Sequence, residues 1–237
     1  LQLSSHPVQS ISAIDDDGRP VVPEGTAVTI GGMISSMRKT YTKKQEPMGI
    51  LRVEGLGNAS CEAVAFPSVY DKYQEFLLPD ALVFLQGVVR QNAQGVSLAI
   101  ENVIPMDEAR ARLVDFTTID LTGVDSDQFD DVLERIRSVC SMNPGNSVLH
   151  IRMNTIDGAT ALVQAGDDYR ILPSESLEEV VKNLAGRNSF FLIPRVFEAP
   201  AQRNGKRGYY RGNGHPARAN QSSNSAPAGS PGGGNGD

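Results

Sequence analysis

The stretch VTIGGMISSMRKTYTKKQEPMGILRVEGLGNASCEAVAFPSVYDKY, residues 28–73, holds the order of elements that decides the fold. From Thr26 the pattern is strand-like, with Val28, Ile30, Met33 and Ile34 set among Gly and Ser. A polar basic loop, RKTYTKK at 38–44, leads to a second strand at 48–53. A Gly- and Asn-rich loop at 55–58 precedes an alternating run at 59–66, the third strand. Pro67 and Ser68 then open a short helix in which Val69, Tyr73, Phe76 and Leu77 recur at helical spacing, and Pro79-Asp80 stops it. Two further strands, 81–90 and 96–105, are joined tightly through Ala93, Gln94 and Gly95.

Three strands, a short helix and two strands over about 80 residues are the order of an OB-fold, a five-stranded Greek-key barrel. The expected domain is 25–107. In that order the basic run joins strands one and two, a loop that OB-folds use against oligonucleotides. Phosphates call for mobile cations and unpaired bases for flat π faces. Arg38, Lys39, Lys43 and Lys44 supply the first and Tyr41 the second, while Arg52 and Arg90 extend a groove over the barrel face. The bland alternative for the run is a solvated hairpin loop, and for Arg52 and Arg90 exposed strand positions. Phe66, Tyr70 and Tyr73 read as core or helix packing.

Upstream, residues 1–24 read as a linker from a preceding domain, with Asp15, Asp16, Asp17, Gly18, Pro20 and Pro23 as turn chemistry. Downstream, 108–198 reads strand, helix, three strands, helix, strand, a small α+β domain with helices over one sheet. Its first helix shows one face of Phe129, Val132, Leu133, Ile136, Val139 and Cys140. Its second shows Leu177, Val180, Val181 and Leu184, ended by Gly186. A short strand is expected at 169–172. Residues 199–237 are Gly, Asn, Ser, Pro and Ala with almost no aliphatic side chains, so a disordered, basic, Gly-rich tail is expected.

The net charge of −6 is uneven. Residues 1–106 carry −3, 107–198 carry −7 and 199–237 carry +4, so contact with nucleic acid must be local rather than spread over the whole surface. Cys61 and Cys140 stand far apart with no C-x-x-C, which excludes a disulfide scaffold and a cysteine-rich zinc site. No apolar run approaches the ~20 residues of a membrane span, and no signal-like start is seen. A cytoplasmic location with no membrane partner is the expectation.

Catalytic and metal-binding patterns are missing from the sequence. Asp15–Asp17 lie in a turn, and the Asp125–Asp131 cluster has Asp130 and Ile136 where a calcium loop needs Gly and Glu, so helix capping accounts for it better. His6, His150 and His215 form no ligand pair, Gly55 and Gly57 lack a dinucleotide fingerprint, and no nucleophile elbow is present. No catalytic residue, metal site or cofactor is assigned to this chain.

Taken with these readings, residues 28–56 and EAVAFPSVYDKY at 62–73 resemble the OB-fold near the C-terminus of the bacterial C-family replicative polymerases, the DNA polymerase III alpha subunits. The string T-K-K-x-x-P-M at 42–48 with a downstream VAFP-x-x-Y is specific. LSSHPV at 3–8, IPMDEAR at 104–110 and, more loosely, GDDYRILPSESLEEVVKNLAG at 166–186 are similar to the flanking and C-terminal segments of that family. Gly49 and Glu54-Gly55 depart from its pattern, and the Gly-rich tail is foreign to its core. The resemblance implies that this region follows a polymerase core that holds the Mg ions and catalytic carboxylates. It also implies that the barrel contacts single-stranded template DNA in DNA replication, and that the last domain contacts a clamp-loader subunit and other replisome proteins. Two other roles stay open: an assembly platform without DNA contact, and an OB-fold module acting on tRNA.

Overall fold

The computed structural model describes residues 3–92 and 95–200. Five strands close a barrel in the order β1-β2-β3-β5-β4: β1 (Ala27–Tyr41), β2 (Pro47–Glu54), β3 (Ser60–Ala65), β4 (Leu82–Asn92) and β5 (Gly95–Pro105). All pairs are antiparallel except β3 with β5, and the ladder between Ala27–Met33 of β1 and Leu82–Val88 of β4 closes the ring. β1 serves two partners, its first half facing β4 and its second half β2. Gly32 sits at the changeover, where a Cβ would fall 2.5 Å from the Glu54 carbonyl oxygen. The interior is apolar and aliphatic, with Val28, Ile30, Ile34, Leu51, Val53, Ala63, Leu85, Leu98 and Ile100 almost fully buried. The helix between β3 and β4, Pro67–Tyr73, plugs one end with Tyr70 and Tyr73, which are core residues as their spacing predicts, while Phe66 is exposed. This barrel is an OB-fold.

Two features of the barrel differ from expectation. First, the basic run is largely strand: Arg38, Lys39, Thr40 and Tyr41 pair with Ile50, Gly49, Met48 and Pro47, and only 42–46 turn. Thr42 organises that turn. Its backbone N–H donates to the Glu46 carbonyl at 2.9 Å, and its hydroxyl accepts from the Lys44 and Glu46 backbone N–H groups. Second, the 1–24 stretch, read as a linker, is packed against the barrel. It opens with helix α1 (Val8–Ser12), and Val8, Ile11 and Val22 are buried in the barrel's own core cluster. The physical reason is the i, i+3 pair of apolar side chains, too short a signal to read as a helix but enough to seat one turn. Numbering the helices in chain order makes Pro67–Tyr73 α2. We expect Ile11→Ala to cost about 2–5 kcal/mol in urea unfolding. A free linker would show no change.

The second layer begins with α3 (Ala109–Leu113), a helical joint with no counterpart in the predicted elements. Four strands follow in the order β8-β7-β6-β9: β6 (Val114–Asp120), β7 (Pro144–Asn154), β8 (Thr160–Gln164) and β9 (Phe190–Pro194). Helix α4 (Phe129–Ser141) makes the crossover between the parallel pair β6 and β7, and α5 (Glu175–Ala185) precedes β9. Both bury their apolar stripes, Val132, Ile136 and Cys140 on one and Leu177 and Val181 on the other, against Ile119, Leu149 and Ile151 of the sheet. The expected strand at 169–172 is not one. Asp167–Tyr169 is a 3₁₀ turn, and Ile171 makes only isolated bridges to Pro144 and Ser147. Ile171 is nonetheless fully buried: the chain there is anchored across the start of β7, with Leu172 N–H donating to the Asn143 carbonyl and Gly145 N–H to that of Arg170. The tail expected at 199–237 lies, from residue 201, outside the described residues.

Arg110 on α3 ties the joint to α5. Its guanidinium reaches Glu178 at 2.7 Å and donates to the Pro173 carbonyl at 2.9 Å, while Lys182 bonds the other Glu178 oxygen at 2.5 Å. Partial burial alone would raise the Glu178 carboxyl. The hydrogen bonds from Lys182 and Arg110, with their charges, outweigh it and hold the group below its ordinary 4.5. A carboxylate depressed in the folded state stabilises above its unfolded pKa, and that contribution is lost as pH falls through the folded value. The stability gap between the protein and Arg110→Ala therefore narrows as pH is taken from 7 to below about 4. Urea midpoints across that range measure it.

Candidate nucleic-acid interface

A β-bulge decides which of the basic side chains share a face. Ile34 faces inward opposite Val53, and the register then slips by one residue between Ile34 and Ser36. Beyond the slip, Met37 packs toward the core while Ser36 and Arg38 point outward, because successive strand residues alternate. On β2 the partners Ile50 and Arg52 are outward as well, and on β3 so are Ser60 and Glu62. Arg38, Arg52 and Glu62 line one concavity of about 640 Å³ with Ser36, Ile50 and Ser60. Its far walls come from the N-terminal segment, through Ser12, Ile14, Gly18 and Pro20, and from the β4–β5 end, through Gln91, Gly95 and Val96.

Three of the sequence-derived residues lie elsewhere on β1 and β4. Lys39 and Tyr41 are on the opposite side of the β1–β2 ribbon from Arg38, where the Lys39 ammonium lies 6.0 Å from the Tyr41 ring and 5.8 Å from that of Tyr70. Gly49 gives Tyr70 its room, since a Cβ there would lie 3.1 Å from the ring. Arg90 on β4 is opposite Ser97, one strand beyond Glu62, and does not line the concavity. Lys43 and Lys44 stand exposed at the tip of the ribbon. The predicted set of seven is thus divided between a groove pair, Arg38 and Arg52, a tip pair, Lys43 and Lys44, a rear pair, Lys39 and Tyr41, and Arg90 apart on β4.

Charge in the groove is uncommitted. Among the described residues no ion pair or hydrogen bond engages the side chains of Arg38, Arg52 or Glu62, although Arg52 and Glu62 are directly opposite on neighbouring strands. Among the described residues that line the groove none is aromatic. The Cys61 thiol beside Glu62 is pushed up to about 12 by burial and by the Glu62 charge, so it is a packing group, not a nucleophile. Among the described residues no three His, Cys, Asp or Glu side chains come together as a metal site. Asp15 is used locally, its carboxylate accepting from the Asp17 and Arg19 backbone N–H groups. Among the same residues no helix is long and apolar enough to cross a membrane.

Glu62, Gln91 and the walls from Ser12 to Pro20 are among the groove residues that sequence reasoning missed. Only Glu62 carried a signal, as an outward position in the alternating run at 59–66.

No protein-family model matches the chain. It is 28% identical over 177 residues to a DNA polymerase III subunit alpha of Pseudomonas fluorescens, covering 72% of this chain and 14% of that protein. To the same subunit of Escherichia coli K12 it is 27% identical over 200 residues, covering 78% of this chain and 17% of that one. The chain spans less than a fifth of the length of these relatives. Among solved structures, a mitochondrial single-stranded DNA binding protein of Saccharomyces cerevisiae aligns with 35% of this chain and 97% of its own. Its sequence identity is 11% and the TM-score 0.31.

Proposed function

We propose that these residues are the OB-fold and following α+β domain of a bacterial DNA polymerase III alpha subunit, and that the barrel groove holds single-stranded template DNA during replication. The observation that carries the reading is the pair of unengaged guanidinium groups, Arg38 and Arg52, in the concavity. Two exposed cations facing the same hollow, with no side-chain partner among the described residues, are suited to a phosphate track. The likeness to alpha subunits over 72–78% of the chain supports the setting. In that setting the Mg-dependent phosphoryl chemistry belongs to residues upstream of this chain, in the cytoplasm.

The division of labour we propose gives 25–107 to DNA and 108–198 to a replisome protein such as a clamp-loader subunit. What supports a protein partner for the second part is its charge of −6, unsuited to DNA, together with Phe191 and Ile193, which remain 42% and 37% exposed on the sheet face away from α4 and α5. The test is a fluorescence-anisotropy titration of a labelled single strand at low and moderate salt. The expected result is binding whose logarithm falls linearly with log salt, by about 0.7 for each phosphate neutralised. Binding with no salt dependence, or a preference for folded RNA over the single strand, would count against the reading.

A further inference from the structure

The groove floor is a row of in-register positions crossing three strands, Ser36 on β1, Arg52 on β2 and Glu62 on β3; the next position in the row, Ser97 on β5, is buried and does not line the concavity. A carboxylate in the middle of a phosphate site is out of place electrostatically, because it repels what the guanidinium groups attract. It is no ion-pair partner for Arg52, and it has no hydrogen bond among the described residues. Among the described residues it joins no group of three His, Cys, Asp or Glu side chains that could hold a metal ion. The row therefore divides the floor into a cationic side, β1 and β2, and an acceptor side, β3. A single strand laid in it places its phosphates over Arg38 and Arg52 and turns its bases toward Glu62. With no aromatic side chain among the described lining residues, stacking is not what they offer a base, and edge hydrogen bonds are.

We propose that Glu62 is a specificity-determining residue that favours bases carrying an exocyclic amino group over thymine; this rests on the reading of the groove as a single-strand site. An ionised carboxylate only accepts hydrogen bonds. Cytosine offers it the N4 amino group, the acceptor pairing that carboxylates make with this base. Thymine offers one N3–H set between two carbonyl oxygens, both of which repel the carboxylate. The two pyrimidines have similar size and stacking area, so the comparison isolates the edge.

The experiment titrates labelled oligo-dC and oligo-dT of about twenty nucleotides into the whole chain at pH 8 and low salt, beside Glu62→Gln. The parent is expected to bind oligo-dC about fivefold tighter than oligo-dT. Glu62→Gln binds both more tightly, since a repulsive charge is gone. Its ratio falls to about one, because the amide both accepts from N4 and donates to the thymine carbonyl. A parent ratio near one that the substitution leaves unchanged overturns the proposal while leaving the groove as a binding site. So does a preference that survives in Glu62→Gln. Absence of binding to either strand by the parent removes the single-strand reading itself, and the proposal with it.

Discussion

Replacing Arg38 and Arg52 together with Ala lowers affinity for a single strand by about 150-fold or more at low salt, the largest loss of any pair on the barrel. Charge-assisted hydrogen bonds to phosphate are worth about 1.5 kcal/mol or more each, and two of them lost from one concavity give that loss. The salt slope also falls by about 1.4, at about 0.7 per phosphate for a single strand. Both side chains are exposed and make no internal bond, so the fold is unaffected, with changes within about 0.5 kcal/mol in urea unfolding. Lys43→Ala/Lys44→Ala gives a smaller loss of a few-fold, because the tip of the ribbon is solvated and its charges are screened. Lys39→Ala/Tyr41→Ala, on the rear of the ribbon against Tyr70, leaves affinity within about twofold. Anisotropy titrations of the three variants at two salt concentrations give the ranking. An equal loss from all three pairs would mean a diffuse basic surface instead of a groove.

That ranking could not have been obtained from the sequence, and the reason is a single residue. The order of strands was legible because Val28-Thr29-Ile30 and Leu51-Arg52-Val53 alternate apolar with polar positions, and Leu98-Ala99-Ile100 is a short apolar run, along a barrel that buries one face. Counting by twos from the buried Ile34 would carry Ser36 and Arg38 inward and set Lys39 and Tyr41 out as a pair. The bulge at Ser35 reverses that parity, and nothing in GGMISSMRKTY announces it. The same polar run hid the true length of β1, because a strand that projects past its barrel has no core to alternate against. Helix α1 was invisible for a related reason: two apolar residues in five carry no period. The buried Ile171 misled in the opposite direction. Its apolar, β-branched character suggested a strand, but the backbone there bonds across to Asn143 and Gly145 without making a ladder. Of the groove itself, the cations were readable by type, whereas the carboxylate that faces them needed the β2–β3 register.

Gly87→Ala unfolds the barrel or leaves it barely stable, at an expected cost of about 4 kcal/mol or more, a large share of the 5–15 kcal/mol that holds a typical domain. Gly87 lies where the β4–β5 register slips, so its α-carbon crosses unusually close to β5. A Cβ would fall 2.2 Å from the Ala99 carbonyl oxygen, 3.0 Å from its carbon and 3.1 Å from the Ile100 Cα. Every one of those atoms is backbone, so no rotamer change can make room, and the strand itself must move. On its other edge Gly87 pairs with Val28, in the ladder by which β4 closes onto β1. Movement that relieves the clash on β5 therefore pulls at the barrel's closure, which is why the cost exceeds that of an ordinary small-to-large substitution at 1–3 kcal/mol. Gly123→Ala is the control: its Cβ would meet nothing within 4 Å, and stability should change by less than about 1 kcal/mol. Urea midpoints of the two variants decide the matter. Near-parent stability for Gly87→Ala would mean that β4 and β5 are free to separate at the bulge, and the wall formed by Gln91, Gly95 and Val96 would then be an adjustable side of the groove instead of a fixed one.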